Sequence, residues 1–258
     1  MKLTVLGKSP SWQDVDGACS GYLVEEQGFH LLVDCGNGVF SKLRRFVDYV
    51  DVDAVVLSHL HADHFLDLVP FSYALTYSPR RQRVTDVPGR PELHAPPGGR
   101  ACLRRVVGAW GSEELVENAF ALREYDPGDV LHAGPLTLRF QPVPHFAATN
   151  AIEITSAAAG GARLTYGADC APSPELCAFA QGTDLLLIDA TLPQPERAGP
   201  RGHLTPAEAG EHGRDAGARR LVLTHLSDEL DAAWAEQEAE RAFGGPVDIA
   251  REGAVHEL

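Results

Sequence analysis

Four residues that can bind a divalent cation fall within six positions of this 258-residue chain. They are His59, His61, Asp63 and His64. Imidazole nitrogens and carboxylate oxygens are the ligands that zinc and similar ions take in proteins. In a tight loop, the alternating side chains of His59 and His61 can face one ion while Asp63 and His64 turn toward a second. This density of ligands predicts a metal centre rather than a polar loop that caps a helix.

A short apolar segment is expected to position this cluster. The run from Asp53 to Leu57 is continuous and apolar after its first residue, which is typical of a strand buried on both faces. A helix is predicted over Leu66–Tyr77, just beyond the cluster. The four residues are therefore expected in a loop between a central strand and a helix.

Strands and helices alternate in both halves of the chain. Strands are predicted over residues 2–6, 21–25, 29–34, 53–57, 92–95, 120–124, 136–143, 150–155, 163–168, 184–189 and 220–224. Helices are predicted over 40–49, 66–77, 100–109, 113–118 and 231–243, with another beginning at Thr205. This order favours an α+β four-layer αβ/βα sandwich, in which two mixed β-sheets are flanked by helices. Because no linker divides the chain, residues 1–258 are predicted to form a single domain.

The pattern His-x-His-x-Asp-His after an apolar strand resembles the signature of the metallo-β-lactamase superfamily. Three later residues resemble the remaining ligands of that family in the right order, each just after a predicted strand: His145, Asp169 and His225. The resemblance implies the metallo-β-lactamase fold. It also implies one cation held by His59, His61 and His145, a second held by Asp63, His64 and His225, and Asp169 bridging the two.

The same resemblance implies a supporting residue and a cofactor. The segment that begins at Asp34 (Asp-Cys-Gly-Asn-Gly) resembles the first motif of the family. The aspartate of that motif holds the metal loop through hydrogen bonds. The implied cofactor is a pair of divalent metal ions. Zn²⁺ is the expected ion, although a set of histidine and aspartate ligands also accepts Mn²⁺ and Fe²⁺.

His203 is singled out by its sequence context. It lies in Gly-His-Leu-Thr, where Thr205 begins a helix with a proline next and a glutamate three residues after the threonine. Together with Asp-Ala-Thr at 189–191, this segment resembles the tRNA 3′-processing endonuclease branch, RNase Z, and its phosphodiesterase relatives. In that branch this histidine lies near the scissile phosphate. The resemblance therefore implies that His203 is a proton donor or a phosphate contact.

Two neighbouring cations suit the hydrolysis of a phosphodiester. They lower the pKa of a water between them, so that a metal-bridging hydroxide can attack phosphorus near neutral pH, and they neutralise charge in the transition state. Asp63 or Asp169 could orient the attacking oxygen, and His203 could protonate the leaving oxygen. The predicted catalytic residues are therefore Asp63, Asp169 and His203.

The expected substrate is small. RNase Z enzymes bind tRNA through a long arm inserted between the residues that match His145 and Asp169, and here that interval is only 24 residues. The formal net charge of −14 also argues against a long nucleic-acid footprint. We therefore expect hydrolysis of a 3′,5′-cyclic nucleotide, cAMP or cGMP, to the 5′-monophosphate.

Three other functions are compatible with the same residues. An RNase Z-like RNA endonuclease would need the basic stretch Arg80–Arg83 to touch RNA, although a solvated loop is the simpler interpretation. A lactone or thioester hydrolase could use the same fold and ligands. A non-catalytic metal-binding protein is the remaining alternative. The aromatic residues Phe71, Tyr73 and Tyr77 could also form a rim over a nucleobase.

The remaining expectations concern location and assembly. Five cysteines without paired spacing favour reduced thiols in a cytoplasmic protein. No apolar run approaches the roughly 20 residues of a membrane span, and the N-terminal segment is interpreted as a strand rather than a signal peptide. A small phosphodiester is the expected partner, and nucleic acid and membrane are not expected. The family resemblance also implies a homodimer.

Overall fold

The structure is a computed structural model that describes residues 1–80, 90–157 and 160–258. These residues form two seven-stranded β-sheets, with the strand orders β14-β1-β2-β3-β4-β5-β6 and β13-β12-β11-β10-β9-β8-β7. The strands are β1 (Lys2–Gly7), β2 (Gly21–Glu26), β3 (Phe29–Val33), β4 (Ala54–Val56), β5 (Glu92–Ala95), β6 (Ala121–Glu124), β7 (Val130–Ala133), β8 (Leu136–Val143), β9 (Thr149–Ser156), β10 (Arg163–Tyr166), β11 (Leu185–Asp189), β12 (Leu221–Thr224), β13 (Asp248–Ile249) and β14 (Val255–Glu257).

Eight α-helices lie in the described residues. They are α1 (Val39–Leu43), α2 (Ala62–Phe65), α3 (Leu68–Tyr77), α4 (Gly99–Gly108), α5 (Leu115–Ala119), α6 (Pro174–Phe179), α7 (Pro206–Asp215) and α8 (Ala232–Phe243). A single 3₁₀ turn, Tyr49–Asp51, accompanies them. Within those ranges, each helix is too short or too polar to cross a lipid bilayer.

The two sheets pack face to face. The core between them combines residues of β3, such as Leu31 and Val33, with residues of β9 and β11, such as Ile152 and Leu187. Helices α1, α3, α4 and α5 bury their apolar sides against the outer face of the first sheet, and α6, α7 and α8 do the same on the second. The four layers are therefore helices, sheet, sheet and helices, which confirms the predicted fold class.

Both sheets mix parallel and antiparallel pairs. Strands β3 to β6 run parallel to one another, as do β10 to β13. The remaining strand pairs of the two sheets are antiparallel. The continuous apolar segments of β4 and β11 are buried on both faces because helices cover one side and the other sheet covers the second. Chemistry-bearing residues follow the carboxyl ends of these parallel strands.

Backbone strain is concentrated at those strand ends. Asp34 after β3, Ala168 after β10 and His225 after β12 have φ angles of 56°, 53° and 58°. This left-handed region is uncommon for residues other than glycine. Such conformations persist where the surrounding structure holds them, and they cluster at functional sites. Asp34 contacts the predicted ligand His64, Ala168 directly precedes Asp169, and His225 is itself a predicted ligand.

Several predicted elements differ from the structure. The helix predicted over 40–49 stops at Leu43. The end of that range belongs instead to a separate 3₁₀ turn, whose start is capped by Asp48 through a hydrogen bond from the backbone of Val50. Helix α6 was missed although Ser173 and Pro174 are recognised start signals. Strand β7 was missed because it is a short, largely exposed edge strand.

The predicted aromatic rim is wrong in part. Phe71 is fully buried in the core and cannot contact a ligand. Tyr73 and Tyr77 are exposed, but they line a cleft with Arg104 and Asn118 that includes none of the predicted ligand histidines. Of the basic stretch, only Arg80 lies within the described residues, where it pairs with Asp48.

Candidate metal centre

The structure brings the seven predicted ligands together at one edge of the sandwich. His59 and His61 come from the β4–α2 loop, whereas Asp63 and His64 lie in α2 and not in the predicted loop. The other three ligands follow the ends of β8, β10 and β12, and the seven form two groups. One group is His59, His61, His145 and Asp169, and the other is Asp63, His64, Asp169 and His225. Within each group the ligand atoms lie within 4.8 Å of one another. Asp169 belongs to both groups.

One oxygen of Asp169 lies between the two sets of imidazoles. Its Oδ2 atom is 3.3 Å from Nε2 of His64 and 3.3 Å from Nε2 of His225. The same oxygen is 3.9 Å from Nε2 of His59 and 3.8 Å from Nε2 of His145. Burial opposes ionisation of Asp169, but the charges of His225 and His64 outweigh it and hold its pKa well below the usual range. The centre therefore contains a shared, anionic oxygen.

The buried histidines have the hydrogen-bond pattern of metal ligands. In the described part of the chain, Nε2 of His59 and Nε2 of His64 are buried without a hydrogen-bond partner. Their Nδ1 atoms are held from behind, at 3.0 Å from Oγ of Ser58 and 2.8 Å from Oδ2 of Asp34. An unpaired buried nitrogen costs about 1–3 kcal/mol. A cation in each group would satisfy the nitrogen of that group, so the residues present fit bound metal.

Burial also keeps three of these histidines in their ligating form. It lowers the pKa of His59 well below its ordinary value, and it lowers the pKa values of His61 and His145. A neutral imidazole has the free lone pair that a cation needs. The carboxylates of Asp63 and Asp169 supply the compensating negative charge. In the second group, burial disfavours the charged form of His64, but the charges of Asp169 and Asp34 outweigh this effect and raise its pKa well above the ordinary value. A cation bound in that group would therefore displace the proton of His64.

Asp34 holds the ligand loop without reaching the centre itself. Its Oδ1 accepts the backbone N–H of Ser58 at 2.8 Å, and its Oδ2 accepts the hydroxyl of Ser58 at 2.8 Å. Oδ2 also accepts Nδ1–H of His64 at 2.8 Å and the hydroxyl of Tyr166 at 3.1 Å. This fully buried carboxylate joins the end of β3, the ligand loop and the second sheet.

The other wall of the centre is held by a second buried aspartate. Nδ1 of His225 lies 2.7 Å from the hydroxyl oxygen of Thr191, and that hydroxyl donates to Oδ1 of Asp189. Oδ2 of the same aspartate lies 2.9 Å from Nδ1 of His203. Asp189 was noted in the sequence only as part of the Asp-Ala-Thr segment. The structure places it where it orients two imidazoles at once.

His203 lies against the predicted ligands. Its ring stacks on that of His225, with centroids 5.3 Å apart and planes 15° apart, and it is 5.0 Å from the ring of His145. Burial disfavours its charged form, but the hydrogen bond and charge of Asp189 outweigh this effect and raise its pKa to about 9. Its side chain is 15% exposed. His203 can therefore carry a proton at the edge of the centre.

A salt-bridge cluster holds the backbone on either side of His203. The guanidinium of Arg201 forms two hydrogen bonds to Glu208, of 2.7 and 2.9 Å, and one to Glu196, of 3.1 Å. Glu196 also accepts the backbone N–H of Gly202 at 3.0 Å, and Glu208 completes the capping box of α7. The carbonyl of Gly202 lies 2.7 Å from Nδ1 of His145. This cluster is not evident in the sequence because its members pair only in three dimensions.

Comparison with known proteins agrees with the fold. The model of the "Beta-lactamase superfamily domain" matches residues 30–226, which covers most of the chain and all of the predicted ligands. This chain therefore belongs to the beta-lactamase superfamily, and its architecture is the metallo-β-lactamase fold. Within that family it resembles the metallo-hydrolases and the RNase Z branch.

Two relatives and one further solved structure are similar to this chain. The probable metallo-hydrolase YhfI of Bacillus subtilis is 32% identical over 265 residues and covers 100% of both chains. Its crystal structure superposes with a TM-score of 0.84 at 28% identity, covering 99% of this chain and 98% of that one. Ribonuclease Z of Myxococcus xanthus is 28% identical over 100% of this chain and 98% of its own length. Unliganded yeast PDE1 shares the fold, with a TM-score of 0.73, 13% identity and 98% coverage of both chains.

Proposed function

We propose that this protein is a di-metal phosphodiesterase that hydrolyses a 3′,5′-cyclic nucleotide, cAMP or cGMP, to the 5′-monophosphate. The observation that carries the proposal is the placement of His203. It is held by Asp189 and stacked on His225, next to the two groups that share Asp169. A proton donor beside such a centre is suited to the departure of an alkoxide from phosphorus.

The ligand sets described above are proposed to hold two divalent cations, with Zn²⁺ as the expected ion. Bound there, two such cations would lower the pKa of a water molecule and neutralise charge that develops on the phosphate. The carboxylates of Asp63 and Asp169 would orient that water, and its proton is released to solvent. His203 then donates a proton to the 3′-oxygen as the bond between phosphorus and that oxygen breaks and the new bond to the water oxygen forms.

The hydrogen bond between Asp189 and His203 orients the His203 ring for proton donation. Because Asp189 accepts the hydrogen bond from Nδ1, the second ring nitrogen of His203 is the one available to a substrate. Cations bound beside His203 would lower its pKa from about 9, since like charges disfavour the imidazolium. That change would bring the proton donor closer to the pH at which it must release its proton.

The structure of the region between His145 and Asp169 favours a small substrate and disfavours RNA. The chain there forms the antiparallel strands β9 and β10, which pair directly with each other. Ile152 lies opposite Tyr166 at one end of the pairing, and Thr155 lies opposite Arg163 at the other. This hairpin leaves little chain for an arm that could hold tRNA. The acidic net charge of −14 acts in the same direction, because a polyanion is attracted by a positive field. The second candidate is an RNA endonuclease, because one relative is named ribonuclease Z.

A hydrolysis panel tests the proposal. Protein reconstituted with Zn²⁺ or Mn²⁺ is assayed on cAMP, cGMP, a cyclic dinucleotide, precursor tRNA and a lactone, and its metal content is measured by mass spectrometry. We expect two metal ions per chain, turnover of the cyclic mononucleotides and little cleavage of the others. Asp169→Ala is expected to lose bound metal and turnover together. Cleavage of tRNA or lactone with cyclic nucleotides left intact would overturn the substrate proposal, and retained turnover in Asp169→Ala would overturn the mechanism.

A further inference from the structure

A phenylalanine lies exposed beside the predicted ligands. Phe146 directly follows His145, and its side chain is 54% exposed. Its ring centroid is 5.1 Å from the ring of His145 and 5.8 Å from the ring of His203. The aromatic surface is therefore next to one predicted metal ligand and next to the proposed proton donor.

The ring of Phe146 rests on a backbone that is held on both sides. A Cβ atom at Gly202 would lie 2.2 Å from Cε2 and 2.4 Å from Cζ of this ring, so only glycine leaves the room that the ring occupies. The N–H of Gly202 is bonded to Glu196, and its carbonyl lies 2.7 Å from Nδ1 of His145. The ring thus has a fixed support beneath it while more than half of its surface stays exposed.

We propose that Phe146 is a stacking platform for the base of the substrate, and this inference rests on the proposed function. In a cyclic nucleotide the phosphate is joined through the ribose to a planar aromatic base. With the phosphate between the two ligand groups, a base can lie on the neighbouring phenyl ring. Stacking of a base on an aromatic side chain accepts any base, because every base has a π-face. Phe146 would therefore select for the presence of a base and would not choose between adenine and guanine.

Two paired measurements test this role. The first compares KM and kcat for cAMP with those for methyl 4-nitrophenyl phosphate, a phosphodiester without a base. The second compares the Kd of 5′-AMP with that of ribose 5-phosphate by calorimetry on metal-loaded protein. We expect Phe146→Leu to raise the KM for cAMP and the Kd of 5′-AMP by about 5- to 100-fold. Stacking does not act on the reacting atoms or on ligands that lack a base. We therefore expect kcat for cAMP, KM and kcat for methyl 4-nitrophenyl phosphate, and the Kd of ribose 5-phosphate each to change less than about twofold.

Control variants separate a stacking role from a general disturbance. Phe146→Tyr keeps the ring and should keep wild-type binding, whereas Gly202→Ala should displace the ring and weaken 5′-AMP binding. Phe46→Leu, at another exposed phenylalanine that lies near Gly253, should change nothing.

The possible outcomes distinguish this proposal from the proposed function. Equal binding of 5′-AMP by wild type and Phe146→Leu, or equal loss of 5′-AMP and ribose 5-phosphate, would overturn the platform. Such a result would leave the phosphodiesterase proposal intact if wild type still hydrolyses cAMP. A selective loss of 5′-AMP binding in a protein that cleaves no phosphodiester would support the platform and overturn the proposed reaction.

Discussion

Two aspartate–histidine pairs lie on opposite sides of the candidate metal centre, and they differ mainly in burial. In the first, Oδ2 of Asp34 lies 2.8 Å from Nδ1 of His64. In the second, Oδ2 of Asp189 lies 2.9 Å from Nδ1 of His203. Both aspartates and His64 are fully buried, whereas the side chain of His203 is 15% exposed. The hydrogen bond is nearly the same, but the surroundings of the second imidazole nitrogen are not.

The difference shows how one chemical unit can serve two purposes. Nε2 of His64 is enclosed, lies 3.4 Å from Asp63 and 3.3 Å from Asp169, and suits a permanent metal ligand. The ring of His203 lies at the edge of the centre, where a substrate can reach it and where solvent can restore its proton. In both pairs the carboxylate fixes the ring orientation and the tautomer. In the proposed function, access to solvent decides whether the imidazole holds a cation or transfers a proton.

The largest expected effect is from Asp34→Ala. Removing this carboxylate leaves His64 and the Ser58 hydroxyl without their buried partner, and breaking a buried charged pair typically costs about 3–5 kcal/mol. We expect a loss of that size in the free energy of unfolding, measured in urea, together with loss of metal and of turnover. A variant that keeps its stability and both metals would show that the first pair does not position the ligand loop.

The second effect isolates the other pair. His203→Ala should lower kcat by about 10²- to 10⁴-fold, which is the usual contribution of a positioned general acid. Metal content should equal that of wild type, because all seven proposed ligands remain. Loss of metal in this variant would assign His203 to the metal site, and an unchanged kcat would remove it from the reaction.

The smallest of these effects is expected at Arg201. Arg201→Met removes the salt bridges that hold Gly202 and the backbone of His203, so both His145 and His203 should lose orientation. Changes in such outer contacts typically cost about 10- to 100-fold in metal affinity or activity. Arg201→Lys should recover only part of this loss, because lysine cannot make the two parallel bonds to Glu208. The matched control is Arg219→Met, which removes an exposed ion pair with Asp184. It should leave activity and metal affinity unchanged. Equal kinetics and metal affinity for Arg201→Met and Arg219→Met would contradict a positioning role.

Much of the fold and of the centre could be predicted from the sequence. Four of the predicted ligands lie within the six residues 59–64, so their spacing alone indicated the centre. The buried strands β4 and β11 were recognisable because their apolar segments are continuous. His145, Asp169 and His225 are isolated in sequence, and they were predicted only through their order in a known family. The structure now places all three beside the loop, while their function as ligands stays a prediction.

Other parts were decided only by the tertiary structure. Nothing local to Tyr166 or Gly202 indicates that the tyrosine hydroxyl reaches Asp34 or that the glycine carbonyl meets His145. Phe71 and Tyr73 are two positions apart in one helix, and only the packing of that helix buries the first and exposes the second. Residue type and spacing specify which atoms can bind a cation or a proton and which segments must be buried. The strand order decides which distant atoms meet, because it brings the carboxyl ends of strands from both sheets to one edge of the sandwich. That order arises from packing across the whole chain.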